Sequence, residues 1–278
     1  MVKIITDTTS GLPRELTSQL SLTVIPQNVI FGEKTYRDDT ELDTLTFLKF
    51  LKESKQLPKT AAPSPELYKP FFQQAAGNGE AVIVVTPSEK VSGTYNSAMT
   101  ARKEFQNADI RVIDTQTIAG NLGTLSLLAH AMAQSGKTAD EIESKIKDLI
   151  PGSRTYFLID TLEYLQKGGR IGGARALLGE LLQVKPILQI KEGQVAPYDQ
   201  ERTKKRALAK LVEVVGEQVK ASSDPHLCVM HVEALEEAKA LASTFTSNLN
   251  ISNIPIYELP PAIVVHAGPK TLAVGFFA

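Results

Sequence analysis

Hydroxyls, one arginine and one histidine carry the chemistry that this sequence offers. Thr60 and Ser64 lie in the stretch Thr60-Ala61-Ala62-Pro63-Ser64-Pro65, and Ser88, Ser92, Gly93 and Thr94 lie in the loop after the apolar run 81–85. Arg170 stands inside Gly168-Gly169-Arg170-Ile171-Gly172-Gly173, and His266 precedes the pair Gly268-Pro269. Hydroxyls and a guanidinium donate hydrogen bonds to carboxylate or phosphate oxygens, and such bonds strengthen when the acceptor is charged. Beyond Arg170, Leu177, Leu178, Leu181 and Leu182 recur on one side of a helical pattern, so a cationic loop adjoins an apolar wall. The set describes a site for a ligand with an anionic head and an apolar tail. A plainer account of the same residues stays open: a glycine-rich turn between two core helices with Arg170 in solvent, Asp7 capping the first helix, and Ser92 capping the helix near Thr94.

Other chemistries find less support. His130 falls in a helical pattern, His226 in a Ser-Asp-Pro loop and His231 at a strand end, so no pair has the spacing of a zinc site. One cysteine, Cys228, supplies no thiolate cluster, and no metal or cofactor is expected. The phosphate-binding P-loop, the paired-glycine dinucleotide fingerprint and the G-x-S-x-G elbow are all absent from the sequence. A stand-alone hydrolase or acyltransferase with Ser92 as nucleophile and His266 as base is the alternative from another class. A phosphate or nucleotide binder built on Gly168 to Gly173 is a third.

At 278 residues the chain suits two domains of ordinary size, or one large one. Its 30 Lys and Arg nearly cancel its 31 Asp and Glu, which leaves no overall field to draw in nucleic acid. Cys228 lies in an apolar run and is expected to be a buried structural thiol, in keeping with a reducing compartment. Asp7 and its hydroxyl neighbours interrupt any signal-like run at the N-terminus, and no stretch approaches the roughly eighteen apolar residues of a spanning helix. A cytoplasmic location is the expectation.

The elements that must position these residues alternate. Runs at 2–6, 81–85 and 110–113 read as buried strands, each followed by a helical pattern, the last at 122–133. Strand, hydroxyl-rich loop and helix at 81–105 form an arrangement that aims backbone N–H groups at an anion. Residues 22–31 read as one extended segment, and the prolines at 63 and 65 place 60–65 in a loop. This predicts an α/β N-terminal domain over 1–152, with a mostly parallel sheet flanked by helices. Over 153–278 the pattern predicts a second α/β domain with a mixed sheet, in which a hairpin turns at 191–194. Its further elements are a strand at 156–159, helices to Lys167 and over 174–183, and two final strands around Gly268-Pro269. Arg202, Lys204, Lys205 and Arg206 cluster at the start of another helix.

Several stretches, in this order and spacing, resemble the DegV family of bacterial fatty-acid-binding proteins. They are Ile4-Ile5-Thr6-Asp7-Thr8, Ser88 to Ser97, Val112-Ile113-Asp114-Thr115, Thr161 to Ile171, Lys185-Pro186-Ile187 and His266-Ala267-Gly268-Pro269. The family's Thr-Ser-Gln-Pro-Ser segment is kept only in part, at Thr60 and Ser64. The resemblance implies a carrier that buries an acyl chain, holds its carboxylate near the domain junction, and presents it to a separate fatty acid kinase that makes acyl phosphate for phospholipid synthesis. It implies no catalysis by the chain alone. By matching position, Thr60 and Ser92 bond the carboxylate, His266 supports them, and Arg170 holds the head group or incoming phosphate. Gly93 and Thr94 belong to the same loop. Leu178 and Leu181 are then the expected cavity wall, and Arg202, Lys204, Lys205 and Arg206 the expected docking surface for the kinase. The carrier is expected to be monomeric alone, with transient membrane contact allowed.

Overall fold

Two β-branched runs lie side by side at the centre of the first sheet of the computed structural model, which describes residues 2–178, 184–220, 222 and 224–278. Strand β1 (Val2–Asp7) ends in a 3-10 turn, Thr8–Ser10, and α1 (Arg14–Leu20) returns the chain to β2 (Thr23–Ile25) beside it. Pro26, which has no N–H for a ladder, then splits the expected single extended segment. Strand β3 (Asn28–Phe31) leaves for a small antiparallel sheet with β4 (Lys34–Arg37) and, after α2 (Thr44–Glu53), β5 (Lys59–Ala61). Thr60, expected in a loop, is thus paired with Val29, because the prolines act only from residue 63 onward.

Helix α3 (Lys69–Asn78), β6 (Ala81–Thr86), α4 (Thr94–Arg102), β7 (Ile110–Asp114), α5 (Gly120–Gln134) and α6 (Ala139–Leu149) continue the alternation. The sheet order is β2-β1-β6-β7, with every pairing parallel. Ile83 and Val85 pack against Leu122, Leu125, Ile142 and Ile146 from α5 and α6, while Val82 and Val84 meet Tyr68, Phe72 and Ala98 on the other face. Cover on both faces is what an unbroken apolar strand requires.

The second sheet starts at β8 (Ser153–Leu158). It continues through the short α7 (Glu163–Lys167), β9 (Lys185–Lys191), β10 (Gln194–Glu201), α8 (Lys204–Val219), β11 (Cys228–His231), α9 (Leu235–Leu249), β12 (Ile256–Glu258), α10 (Pro261–Ala267) and β13 (Leu272–Phe277). Its order is β10-β9-β8-β13-β11-β12, and only β11 and β12 pair in parallel, so the sheet is mixed. The hairpin turns at Glu192 and Gly193, both at positive φ, as a two-residue connection favours. Tyr156, Ile187, Val229, Val274 and Phe276 face α8 and α9. On the opposite face Phe157, Leu188, Met230 and Ala273 join a cluster that also contains Val29, Phe47 and residues of α10. The start of α5 is tied to this sheet, with the Asn121 side chain donating to Ser153 Oγ at 2.8 Å and to the Arg154 carbonyl at 2.9 Å.

Two further expectations need correction. The β-branched run Ile263-Val264-Val265 lies in helix α10 and not in a strand, because Pro261 opens the helix where no N–H is needed and burial of Val264 and Val265 outweighs their modest helix propensity. The expected helix over 174–183 is, where described, the 3-10 segment Gly172–Leu177, while residues 179–183, including Leu181, lie outside the described residues. Among the described residues no helix is long and apolar enough to cross a membrane.

Candidate functional site

Strand β5, the loop before α4, the glycine loop after α7 and helix α10 converge over the inner face of the second sheet. They line a cavity of about 110 Å³ that has Thr155, Phe157, Met230 and Ala273 on the sheet side and Leu165, Ile190, Val195, Ile118 and Ile263 around it. The hairpin closes one flank: Ser88 Oγ donates to the Gly193 carbonyl at 2.7 Å, and Lys90 Nζ donates to that of Glu192 at 2.8 Å. Thr9, Gln27, Thr60, Ser92, Gly93, Arg170 and His266 bring the polar atoms.

His266 projects from the last turn of α10, and its Nε2 lies 2.8 Å from Thr60 Oγ1. Its Nδ1 is buried without a hydrogen-bond partner among the described residues. Burial first, and then the charge of Arg170, push the imidazole down to about 3, so the ring is neutral near physiological pH. A neutral ring has one N–H, and its bond with Thr60 fixes where the threonine hydroxyl lies. Gly168 permits this closeness, because a Cβ there would stand 2.2 Å from His266 Nδ1. Gly172 likewise sits at φ 49, where a Cβ would meet the Val195 carbonyl oxygen at 2.2 Å. Close packing inside the protein therefore accounts for these two glycines of the run Gly168 to Gly173.

Arg170 is half-buried. Its Nε donates to the Val91 carbonyl at 3.2 Å and Nη1 to that of Gly168 at 2.8 Å. Burial lowers its pKa from the ordinary value, but a guanidinium remains charged. Among the described residues no carboxylate forms an ion pair with it, which leaves a partly desolvated cation at a mostly apolar cavity.

Ser92 Oγ lies 2.9 Å from Thr94 Oγ1 and accepts the Thr94 backbone N–H at 3.3 Å. Thr94 is buried behind it and does not line the cavity. The Gln27 amide donates to Thr94 Oγ1 at 2.8 Å and to Asp7 Oδ2 at 2.7 Å. Burial raises the pKa of Asp7, against hydrogen bonds from Thr9, Thr94 and Gln27 that lower it. Asp7 also accepts the Thr9 N–H and so caps the 3-10 turn Thr8–Ser10, not the first helix α1 as the plainer account held, whose N-cap is Pro13. Burial pushes neighbouring Asp38 up to about 7, although it accepts from Thr8 Oγ1 and the Gln27 N–H, each at 2.8 Å.

Ser92 and His266 do not form the nucleophile–base pair of the alternative reading in this geometry. Among the described residues His266 bonds Thr60 and not Ser92, no carboxylate holds its Nδ1, and burial keeps its basicity low. Cys228 is buried, and burial pushes its thiol up to about 12, which suits the expected structural role.

The structure brings together Thr60, Ser92, Gly93, Arg170 and His266. Ser64 is elsewhere, accepting the Glu66 N–H at 3.3 Å to cap the turn Pro65–Leu67. Leu178 is 36% exposed and outside the lining, which corrects its expected place in the apolar wall; Leu165, Ile190, Val195 and Met230 hold that place, and Gly172–Leu177 is a 3-10 segment where an amphipathic helix was expected. Thr9 and Gln27 carried no sequence signal of their own. In the basic cluster Thr203 caps α8, Lys204 pairs with Glu237 at 2.6 Å, and Arg202, Lys205 and Arg206 are exposed.

A family model described as "Uncharacterised protein, DegV family" matches residues 1–278. A DegV domain-containing protein of Clostridium perfringens is 34% identical over 279 residues, covering 99% of this chain and 98% of that protein. Among solved structures, a fatty-acid-binding DegV family protein of Thermus thermophilus is similar with a TM-score of 0.92 at 29% identity, covering 100% of this chain and 99% of that one. A stearic-acid-binding protein of Eubacterium ventriosum gives a TM-score of 0.90 at 26% identity, covering 100% and 98%.

Proposed function

This chain belongs to the DegV family, and on that premise we propose that it binds a long-chain fatty acid and presents it to a separate fatty acid kinase for acyl phosphate formation. The observation that carries the reading is Arg170, a half-buried cation with no carboxylate partner among the described residues, set beside Thr60, Ser92 and His266 at an otherwise apolar cavity. The tail supplies affinity, at roughly 0.8 kcal/mol for each buried methylene before ordering costs. The head group supplies orientation. Thr60 and Ser92 donate to the carboxylate, His266 holds Thr60 in place, and Arg170 balances the buried charge or meets the incoming phosphate. Two units, 1–152 and 153–278, contribute to the site, with the carboxylate near their junction.

In this reading the chain is a cytoplasmic carrier that is monomeric alone, needs no cofactor, touches membranes transiently and feeds phospholipid synthesis. The kinase docks on Arg202, Lys205 and Arg206, with Lys204 shared with Glu237. Cations in a first helical turn oppose the helix dipole, by about 0.3–1 kcal/mol each, so the placement of Lys205 and Arg206 costs stability that docking would explain. Calorimetric titration of lipid-stripped protein with palmitate tests the reading: saturable binding that weakens in Arg170→Ala supports it, and absence of binding by the unaltered chain sinks it.

A further inference from the structure

The Gln27 side chain bonds both a buried carboxylate and a residue behind the cavity. Its amide nitrogen reaches Asp7 Oδ2 at 2.7 Å and Thr94 Oγ1 at 2.8 Å, while Thr94 Oγ1 lies 2.9 Å from Ser92 Oγ. We propose that Gln27 is a positioning residue that turns the Ser92 hydroxyl toward the ligand carboxylate. The inference rests on the fatty-acid reading of the cavity and assigns a donor within it.

Proton counting gives the direction. Asp7 Oδ1 accepts both the N–H and the hydroxyl of Thr9, and Oδ2 faces Gln27. The amide presents its nitrogen, whose two hydrogens go to Asp7 Oδ2 and to Thr94 Oγ1. Thr94 has one hydroxyl proton and two neighbours that can take it, Asp7 and Ser92. With the Gln27 amide donating to Thr94 Oγ1 and Ser92 Oγ 2.9 Å away, the Thr94 proton goes to Ser92. Ser92 Oγ then accepts from the Thr94 hydroxyl and the Thr94 N–H together, and its own proton is left for the cavity. Without the Gln27 amide the Thr94 proton turns to Asp7, Ser92 donates back to Thr94, and the ligand loses a donor. Gln27 is itself 3% exposed and held by its backbone N–H to Asp38 Oδ1, so the amide has little freedom to leave.

The test is a double-mutant cycle on lipid-stripped protein, with palmitate and hexadecanol as probes. Gln27→Met keeps the volume and removes the donors; it is expected to weaken palmitate binding about tenfold, the size of one hydrogen bond to a charged acceptor, and hexadecanol less. In the Ser92→Ala background Gln27→Met is expected to cause no further loss of palmitate affinity, because the group it positions is gone. Losses that add across the cycle, equal loss for the two probes, or unchanged palmitate binding in Gln27→Met would each overturn the proposal. Should Gln27→Met fail to fold, Thr94→Val breaks the same relay, and the same non-additivity with Ser92→Ala is required. If the unaltered protein binds palmitate while the cycle is additive, only the positioning role falls; if it binds no palmitate, the fatty-acid reading falls with it.

Discussion

Ser92 and His266 show how much of a side chain's chemistry is set by neighbours that spacing does not reveal. Both were legible as site residues, since hydroxyls after a buried strand and a histidine beside a glycine turn are unusual in combination. What was not legible was that His266 would be neutral and bonded to Thr60, which needs a buried helix end and a glycine 98 positions earlier to be specified. Gln27 was invisible for the same reason, because its partners Asp7 and Thr94 are close only after folding. Ser92→Ala is expected to keep its fatty acid through purification yet lose about a hundredfold in kinase-coupled acyl phosphate formation, since a misplacement of about 1 Å at the reacting oxygen can cost that much. Full-rate turnover in a coupled assay would remove Ser92 from the head-group role. Asp38 makes a pH prediction. Its carboxyl is raised in the fold to about 7 from 3.8, so its favourable contribution is complete below about 4 and is lost as pH rises through 7. Asp38→Asn is therefore expected to unfold at higher denaturant than the unaltered chain at pH 8, and to lose that advantage by pH 4. An equal difference at both pH values would contradict the assignment.

Among the elements, local pattern was reliable where it agreed with burial. Strand β6 and helix α5 follow directly from their apolar runs, and the hairpin β9–β10 follows from Glu192-Gly193. Pattern misled at α10, where β-branched residues imitate a strand and Pro261 decides for a helix, and at 22–31, where Pro26 separates two sheets. The first misreading mattered for function, because only a helix places Ala262, Ile263 and His266 together on the cavity side. Helix α8 carries the prediction at this scale. Reversing the charges of Arg202, Lys205 and Arg206 is expected to weaken coupling to the kinase, steeply with salt, and to leave palmitate affinity alone. Replacing cations in the first turn by glutamates also favours the helix dipole, so thermal stability is expected to hold or rise. Equal loss of coupling and of lipid affinity would point to a folding defect in place of a docking surface.

Across the whole molecule, the α/β class with a parallel first sheet and a mixed second one was readable from the alternation of strands and helices. The cavity was not, because it exists only where residues as distant as Thr9 and Ala273 face one another. A ligand seated there touches both sheets' neighbourhoods and should stabilise the chain as a unit. Palmitate at a hundred times its dissociation constant is expected to add about 2.7 kcal/mol to unfolding free energy, visible as a concentration-dependent rise in Tm. The central claim is that this cavity holds an acyl chain, and Ala273, buried in the sheet between Phe157 and Met230, offers a way to close it. Organic extraction of purified protein followed by mass spectrometry, run on the unaltered chain and on folded Ala273→Phe, is the most direct measurement. The account predicts stoichiometric long-chain fatty acid from the first and strongly reduced recovery from the second. No fatty acid from the unaltered chain after growth with exogenous palmitate, or equal recovery from both proteins, would contradict it.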